Sequence, residues 1–170
     1  MGWIGGALAL VVLGVVVARA IEAQRGPGLS AWHKAVPPEL SIAELDATDW
    51  AGWLAAEERA FAAVRRDVTE ALPAEDRVPA NRFFAGSPIH TPRFATDWYR
   101  SFVMEPEGMP IGVAVLLHGL TDAPFSMRHL AMQYRDAGFL AIALRVPGHG
   151  TVPAGLTDTN REQWMAARWR

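Results

Sequence analysis

The sequence has no cysteine among its 170 residues. That excludes disulfide frameworks, thiolate metal sites and cysteine nucleophiles, and leaves the compartment open. A basic excess is also missing: 16 Lys and Arg stand against 18 Asp and Glu, for a net charge of -2. No basic surface follows, so nucleic acid is not an expected partner. The five histidines are scattered and no carboxylate pair accompanies them at ligand spacing, so neither a metal site nor a cofactor is expected. There is no internal repeat, and the first 18 residues carry no ionisable side chain at all. What is present is apolar: 51% of the residues are hydrophobic and 20% charged, enough for a sizeable core and too little charge for general disorder.

The uncharged opening, "MGWIGGALALVVLGVVVA", matches the roughly 17–20 apolar residues that a bilayer span requires, with Trp3 placed for one interface. It reads as a single-pass N-terminal membrane anchor. The competing reading is a cleaved signal segment, since Ala18-Arg19-Ala20 has the small-x-small form of a cleavage site. Arg19, Arg25 and Lys34 follow the run and nothing basic precedes it, which favours a cytoplasmic location for the remainder. A cleaved segment would instead place it outside, so the membrane side stays open.

Three regions are expected: an anchor or signal over 1–20; a linker, amphipathic helix and Pro-rich loop over 21–95; and an α/β domain over 96–170. Pro27, Pro37 and Pro38 break the linker. Ser41 and Glu44 form a capping box, and the spacing predicts a helix from there to about Leu72, stopped by Pro73. Trp50, Trp53, Leu54, Phe61, Val64, Val68 and Leu72 form its apolar stripe, with Glu57, Glu58, Arg65 and Arg66 largely off it. Ser87 and His90 read as surface polarity of a Pro-rich loop rather than as a catalytic pair.

"WYRSFVME", residues 98–105, alternates and reads as a strand. Residues 112–117 are a short apolar run, expected to be a strand covered on both faces. A helix follows from Pro124 or Phe125 to Ala137, capped by Thr121 or Asp122 and stopped by Gly138, with Met127, Leu130, Ala131 and Tyr134 on its apolar face. "FLAIALRV", residues 139–146, is a second buried strand. Strand, helix, strand is a βαβ unit with parallel strands and a right-handed crossover. Thr159 and Glu162 suggest a capping box for a last helix holding Trp164, Met165 and Trp169.

Ligands of parallel sheets sit at the carboxyl ends of the strands. Two His-Gly pairs are expected there: His118-Gly119 after the first buried strand and His149-Gly150 after the second. Glycine allows a close approach or a positive φ. At the first turn this would leave the Leu120 N–H unpaired, facing a cleft, as a donor for an oxyanion. A phosphate cradle does not fit "HGLTDAPF", which has one glycine and no Lys-Ser/Thr ending.

The stretch "VLLHGLTDAPFSMRHLAMQYRDAGFLAIALRVPGHGTVPAGL" resembles the N-terminal half of the α/β-hydrolase fold, in particular the lysophospholipase, monoacylglycerol lipase and serine aminopeptidase group. The resemblance covers roughly residues 100–170. It implies that Leu120 supplies one backbone N–H of an oxyanion hole, that His118 and Gly119 shape its loop, and that Gly148, His149 and Gly150 form the next structural turn. The family's nucleophile lies in G-x-S-x-G, followed by an acid and a His. None of Ser30, Ser41, Ser87, Ser101 and Ser126 lies in that motif, so no nucleophile, acid or base can be assigned.

The expected fold class is therefore α/β: the N-terminal part of an α/β-hydrolase sheet, preceded by a transmembrane or signal helix and an amphipathic helix. The expected function is that of an N-terminal fragment of a membrane-associated serine hydrolase cleaving carboxylic or lipid esters, less readily peptides, through an acyl-enzyme. Its partners would be a small-molecule ester or lipid and a membrane; the oligomeric state is open. The alternative is a non-catalytic membrane-anchored binding or scaffold module with a shortened hydrolase fold.

Overall fold

A computed structural model of the chain describes residues 2–26, 28–97 and 99–167. Pro27, Trp98 and Trp169, which the sequence placed in the linker, the first strand and the last helix, lie outside them.

Helix α1, Gly2–Gln24, contains the uncharged run, and its described side chains are all exposed. Its length and composition suffice to cross a membrane, as those of a signal segment also can.

The single helix expected from Ser41 to Leu72 is broken in two. The Ser41–Glu44 box caps α2, Ile42–Ala47: Ser41 N donates to Glu44 Oε2 at 2.8 Å and Glu44 N to Ser41 Oγ at 3.3 Å. The chain then extends at Thr48, and Asp49 starts α3, Trp50–Val64, by accepting the Gly52 N–H at 2.8 Å. Asp49 is the better cap, because a short carboxylate competes for N–H groups that a continuing helix would leave to the preceding turn. α3 continues into a wider π turn, Arg65–Thr69. Trp53, Val68 and Leu72 are buried, but Trp50 and Leu54 are exposed. Glu57, expected on the polar side, is buried.

Three strands form one small mixed sheet in the order β1-β3-β2. β2, Gly112–Leu117, and β3, Phe139–Leu144, are parallel, in register from Gly112 opposite Phe139 to Leu117 opposite Leu144. β1 is only Phe102–Met104, antiparallel to β3. The expected strand over 98–105 is shorter because Asp97 folds the preceding residues into a turn: its carboxylate accepts the Tyr99 N–H at 3.2 Å and the Arg100 Nε–H at 3.0 Å.

Between β2 and β3 run a 3-10 turn, Pro124–Met127, and α4, Arg128–Asp136. Ala123 takes the N-cap position of the turn, one residue after the expected Asp122, whose Oδ1 accepts the Ala123 N–H at 2.8 Å. Gly138, with φ 93°, ends the helix. On α4 Ala131 is buried, while Leu130 and Tyr134 are exposed.

β3 is covered on both faces. Ala141 and Ala143 pack with Leu116 and Ala131 on the α4 side, and Leu144 packs with Leu40, Leu45, Trp53 and Ala56 on the other. β2 departs from expectation. Val113, Val115 and Leu117 are exposed (Val113 by 59%), while Leu116 is buried. Their register partners Leu140, Ile142 and Leu144 mark the α2–α3 side of the sheet, so this cover reaches β3 and stops short of β2. An apolar run states what a strand can tolerate on its faces and not whether a second layer arrives there.

The last helix, α5, Arg161–Ala167, starts one residue later than expected. Its capping pair is Asn160 and Gln163, each accepting the other's backbone N–H at 3.0 and 3.1 Å. Thr159 Oγ1 is buried without a partner among the described residues.

Candidate functional site

Both His-Gly pairs stand at the carboxyl ends of β2 and β3, and the two turns face a cavity of about 290 Å³. Thr121, Asp122 and Phe125 line it from the first turn, and Gly148, His149 and Thr151 from the second.

The first turn begins at His118, whose side chain is buried beneath it. Its Nε2 accepts the Val146 N–H at 3.1 Å, and its Nδ1 lies 3.0 Å from the Gly119 carbonyl oxygen. A carbonyl only accepts, so Nδ1 holds the proton and the ring is neutral. Burial lowers the His118 pKa, against the opposing effect of the Gly119 hydrogen bond; His149 and Arg145 act in the same direction as burial, and Asp122 opposes. His118 thus ties the end of β2 to the backbone leaving β3. The His149 ring stands edge-on to it, 5.1 Å between centroids.

Gly119 does not take the positive φ that the sequence reading allowed it. Thr121 does, at φ 62°, an uncommon conformation for a β-branched residue. The strain sits two residues beyond the glycine because the Gly119 carbonyl is already engaged, accepting from Asp122 N at 3.2 Å as well as from His118. Between them Leu120 is 67% exposed, and among the described residues its N–H meets no acceptor. The Ser126 hydroxyl, and less strongly the Ala123 N–H, lower the Asp122 pKa against the opposing effect of burial.

The second turn is held from all sides. Gly148 and Gly150 have φ of 80° and 74°. A Cβ on Gly148 would stand 2.6 Å from Thr159 Oγ1 and 2.8 Å from the Gly155 carbonyl, so only glycine fits. His149, 4% exposed, places Nδ1 3.0 Å from the Pro147 carbonyl oxygen, and Trp164 Nε1 donates to that same oxygen at 3.1 Å.

Beneath this turn lies a buried ionic network that sequence reading missed. Arg145, 1% exposed, grips Glu39 bidentately at 2.7 and 2.9 Å and Glu57 through Nε at 3.1 Å. Its Nη1 also donates to the His149 carbonyl at 3.0 Å, and Glu39 accepts the Gly148 N–H at 2.9 Å. Ser101 Oγ donates to Glu57 at 2.7 Å while accepting from Arg145 N and Trp53 Nε1. Burial disfavours the Arg145 charge, but Glu39 and then Glu57 outweigh it and raise the pKa. The signal was present: an arginine inside the apolar stretch "FLAIALRV" needs an anionic partner if the strand is buried. The stretch read as linker supplies Glu39, and the helix supplies Glu57.

The hydroxyls of Ser41, Ser87, Ser101 and Ser126 make structural hydrogen bonds. Ser87, expected at the surface, is buried, donating to the Pro79 carbonyl at 2.6 Å and accepting the Ile89 N–H. His90 instead bonds to the Arg82 carbonyl. Among the described residues no serine hydroxyl is hydrogen-bonded to an imidazole.

Over 61 residues, 36% of this chain and 24% of the relative, the sequence is 41% identical to a thermostable monoacylglycerol lipase of Bacillus sp. (strain H-257). A solved structure described as that of LipS and LipT, two metagenome-derived lipolytic enzymes, is 36% identical, covering 41% of this chain and 27% of its own, with a TM-score of 0.36. No family model matches. The chain therefore spans about a quarter of the length of the relatives it matches. The sequence likeness supports an α/β-hydrolase relationship for this part of the chain.

Proposed function

We propose that this chain is part of a membrane-associated serine hydrolase that cleaves carboxylic esters, lipid esters in particular, through an acyl-enzyme. The observation that carries the reading is the unbonded Leu120 N–H, on the turn that ends a parallel strand, next to a cavity-lining residue. When a serine oxygen attacks an ester carbonyl, a bond forms to carbon and its π electrons move onto oxygen. A fixed N–H aimed at that oxygen stabilises the charge as it develops. The departing alkoxide then takes a proton, and water releases the acid from the acyl-enzyme.

In this reading residues 1–20 tether the protein or direct its export, residues 21–95 brace the sheet, and residues 96–170 carry half of the oxyanion hole. His118, Gly119, Gly148, His149 and Gly150 shape the two turns and do not act as base. The bare face and edge of β2 suit a further parallel strand fed by α5, with G-x-S-x-G at its end. Neither nucleophile nor base is assigned to residues 1–170.

The test is fluorophosphonate labelling of the protein expressed from its whole reading frame, with ester hydrolysis measured alongside. A single labelled serine in G-x-S-x-G is expected. Replacing the Leu120 backbone amide by an ester should lower kcat about 10²–10³-fold. Tm should hold, because that N–H makes no internal bond. Labelling of any of the five serines here, or an unchanged kcat, overturns the assignment. A stable product that never labels favours the non-catalytic module.

A further inference from the structure

A second cavity, of about 340 Å³, adjoins the first and shares Arg82, Tyr99, Gly150 and Thr151 with it. Its walls are largely apolar, from Phe61, Val64, Phe83, Ala85 and Pro92. The charged groups on these walls are nearly all matched. Arg100 pairs with Glu58 at 2.9 Å and with Asp97 at 3.0 Å, and Arg65 reaches Glu58 at 3.4 Å. Glu70 is exposed to solvent.

Arg82 differs. It is half-buried in the partition between the cavities and makes no ion pair among the described residues. Its guanidinium donates only to neutral oxygens, Thr151 O at 3.0 Å and the Tyr99 hydroxyl at 3.4 Å, and rests on the Phe83 ring with Cζ 4.8 Å from the centroid. Such a guanidinium is fixed in place, partly desolvated and still has donors to offer. It binds an anion strongly, and a planar carboxylate best. Beside it, Thr151 Oγ1 is buried with no hydrogen-bond partner among the described residues.

We infer that the second cavity binds the alkyl chain of a fatty acid whose carboxylate pairs with Arg82. Of the two charged wall groups that make no ion pair among the described residues, Glu70 is exposed and screened by water, so the half-buried Arg82 charge governs this wall. It balances a singly charged carboxylate, whereas a phosphate monoester carries about -1.5 to -2 and would remain unbalanced. The inference rests on the cavity walls alone. It stands or falls separately from the hydrolase reading, which the labelling experiment tests.

The experiment holds the full chain in nanodiscs of zwitterionic lipid, with empty discs as blank, and titrates octanoate labelled with ¹³C at the carboxyl group, below its micelle concentration. Octanol serves as the uncharged ligand of equal length. Saturable octanoate binding is expected, about tenfold or more tighter than octanol, as one charge-assisted pair provides. Arg82→Gln should remove that advantage and leave octanol unchanged, and Arg82→Lys should keep most of it. Val64→Trp, which fills the cavity, should weaken both ligands. Octanol binding as tightly as octanoate, octanoate binding that survives Arg82→Gln, or no saturable octanoate binding would each overturn the inference. An Arg82 variant that has merely misfolded shows itself by losing octanol too, and Val64→Trp counts only if its circular dichroism and Tm match those of the wild type.

Discussion

The turns that end β2 and β3 look alike in sequence, each a His-Gly pair after an apolar strand, yet they are built in opposite ways. The β3 turn is braced at Pro147, Gly148 and His149. Glu39 takes its Gly148 N–H, Arg145 its His149 carbonyl and Trp164 its Pro147 carbonyl, and a side chain on Gly148 would collide with backbone. The β2 turn is left incomplete. Its glycine has open space around it, its strain sits on Thr121, and the Leu120 N–H is unbonded. His118 belongs to both, rooted in one and bonded to the other. In the proposed reading the rigid turn supplies fixed walls and the unfinished one a donor for a ligand.

The comparison can be broken most severely at Glu39. Glu39→Ala leaves the Arg145 charge buried with half of its partners gone and should cost about 3–5 kcal/mol in chemical denaturation. The same substitution at Glu44, exposed on α2, should cost far less, and similar losses at the two sites would contradict the rigid-turn description.

A sharper version uses the two glycines. Gly148→Ala forces a side chain into left-handed backbone and against the Gly155 carbonyl, for about 2–3 kcal/mol. Gly119→Ala, with nothing within 4 Å of the added carbon, should stay within about 0.5 kcal/mol. Equal effects would mean that the turns are not different in kind.

The smallest effect concerns the residue that joins them. His118→Phe loses the bond to Val146 N–H and should cost about 1–2 kcal/mol at pH 8. The folded pKa of His118 is lowered from its ordinary 6.5, so as pH falls the unfolded chain takes up the proton first. Stability is then full above about pH 6.5 and declines below it. The wild type should lose stability more steeply than His118→Phe between pH 7.5 and 5. Parallel pH profiles would show that folding does not lower the His118 pKa.

Much of the fold was legible because it rests on local patterns. The two apolar runs, the intervening helix and the Gly138 stop required only period, length and backbone freedom, and they emerge as a parallel strand pair with its crossover helix. The Ser41–Glu44 cap was readable from four residues. Where two signals competed, the pattern misled: Asp49 interrupted a helix that its apolar stripe joined, and Asp97 shortened a strand that its alternation extended. The candidate site was legible only as far as its backbone. The positions of both His-Gly turns followed from the strands, but the groups that hold them did not.

The sequence by itself determined the βαβ unit, the uncharged N-terminal run and the absence of cysteine chemistry, since each is a property of neighbours in the chain or of composition. Only the tertiary structure decided that Glu57 is an interior residue, that Glu39 supports a turn about a hundred residues away, and that Arg82 stands between two cavities with no ion pair among the described residues. The reason is physical. Whether a charge sits in water or in the interior, and what it meets there, depends on which distant segments pack against it, and no local spacing encodes that encounter.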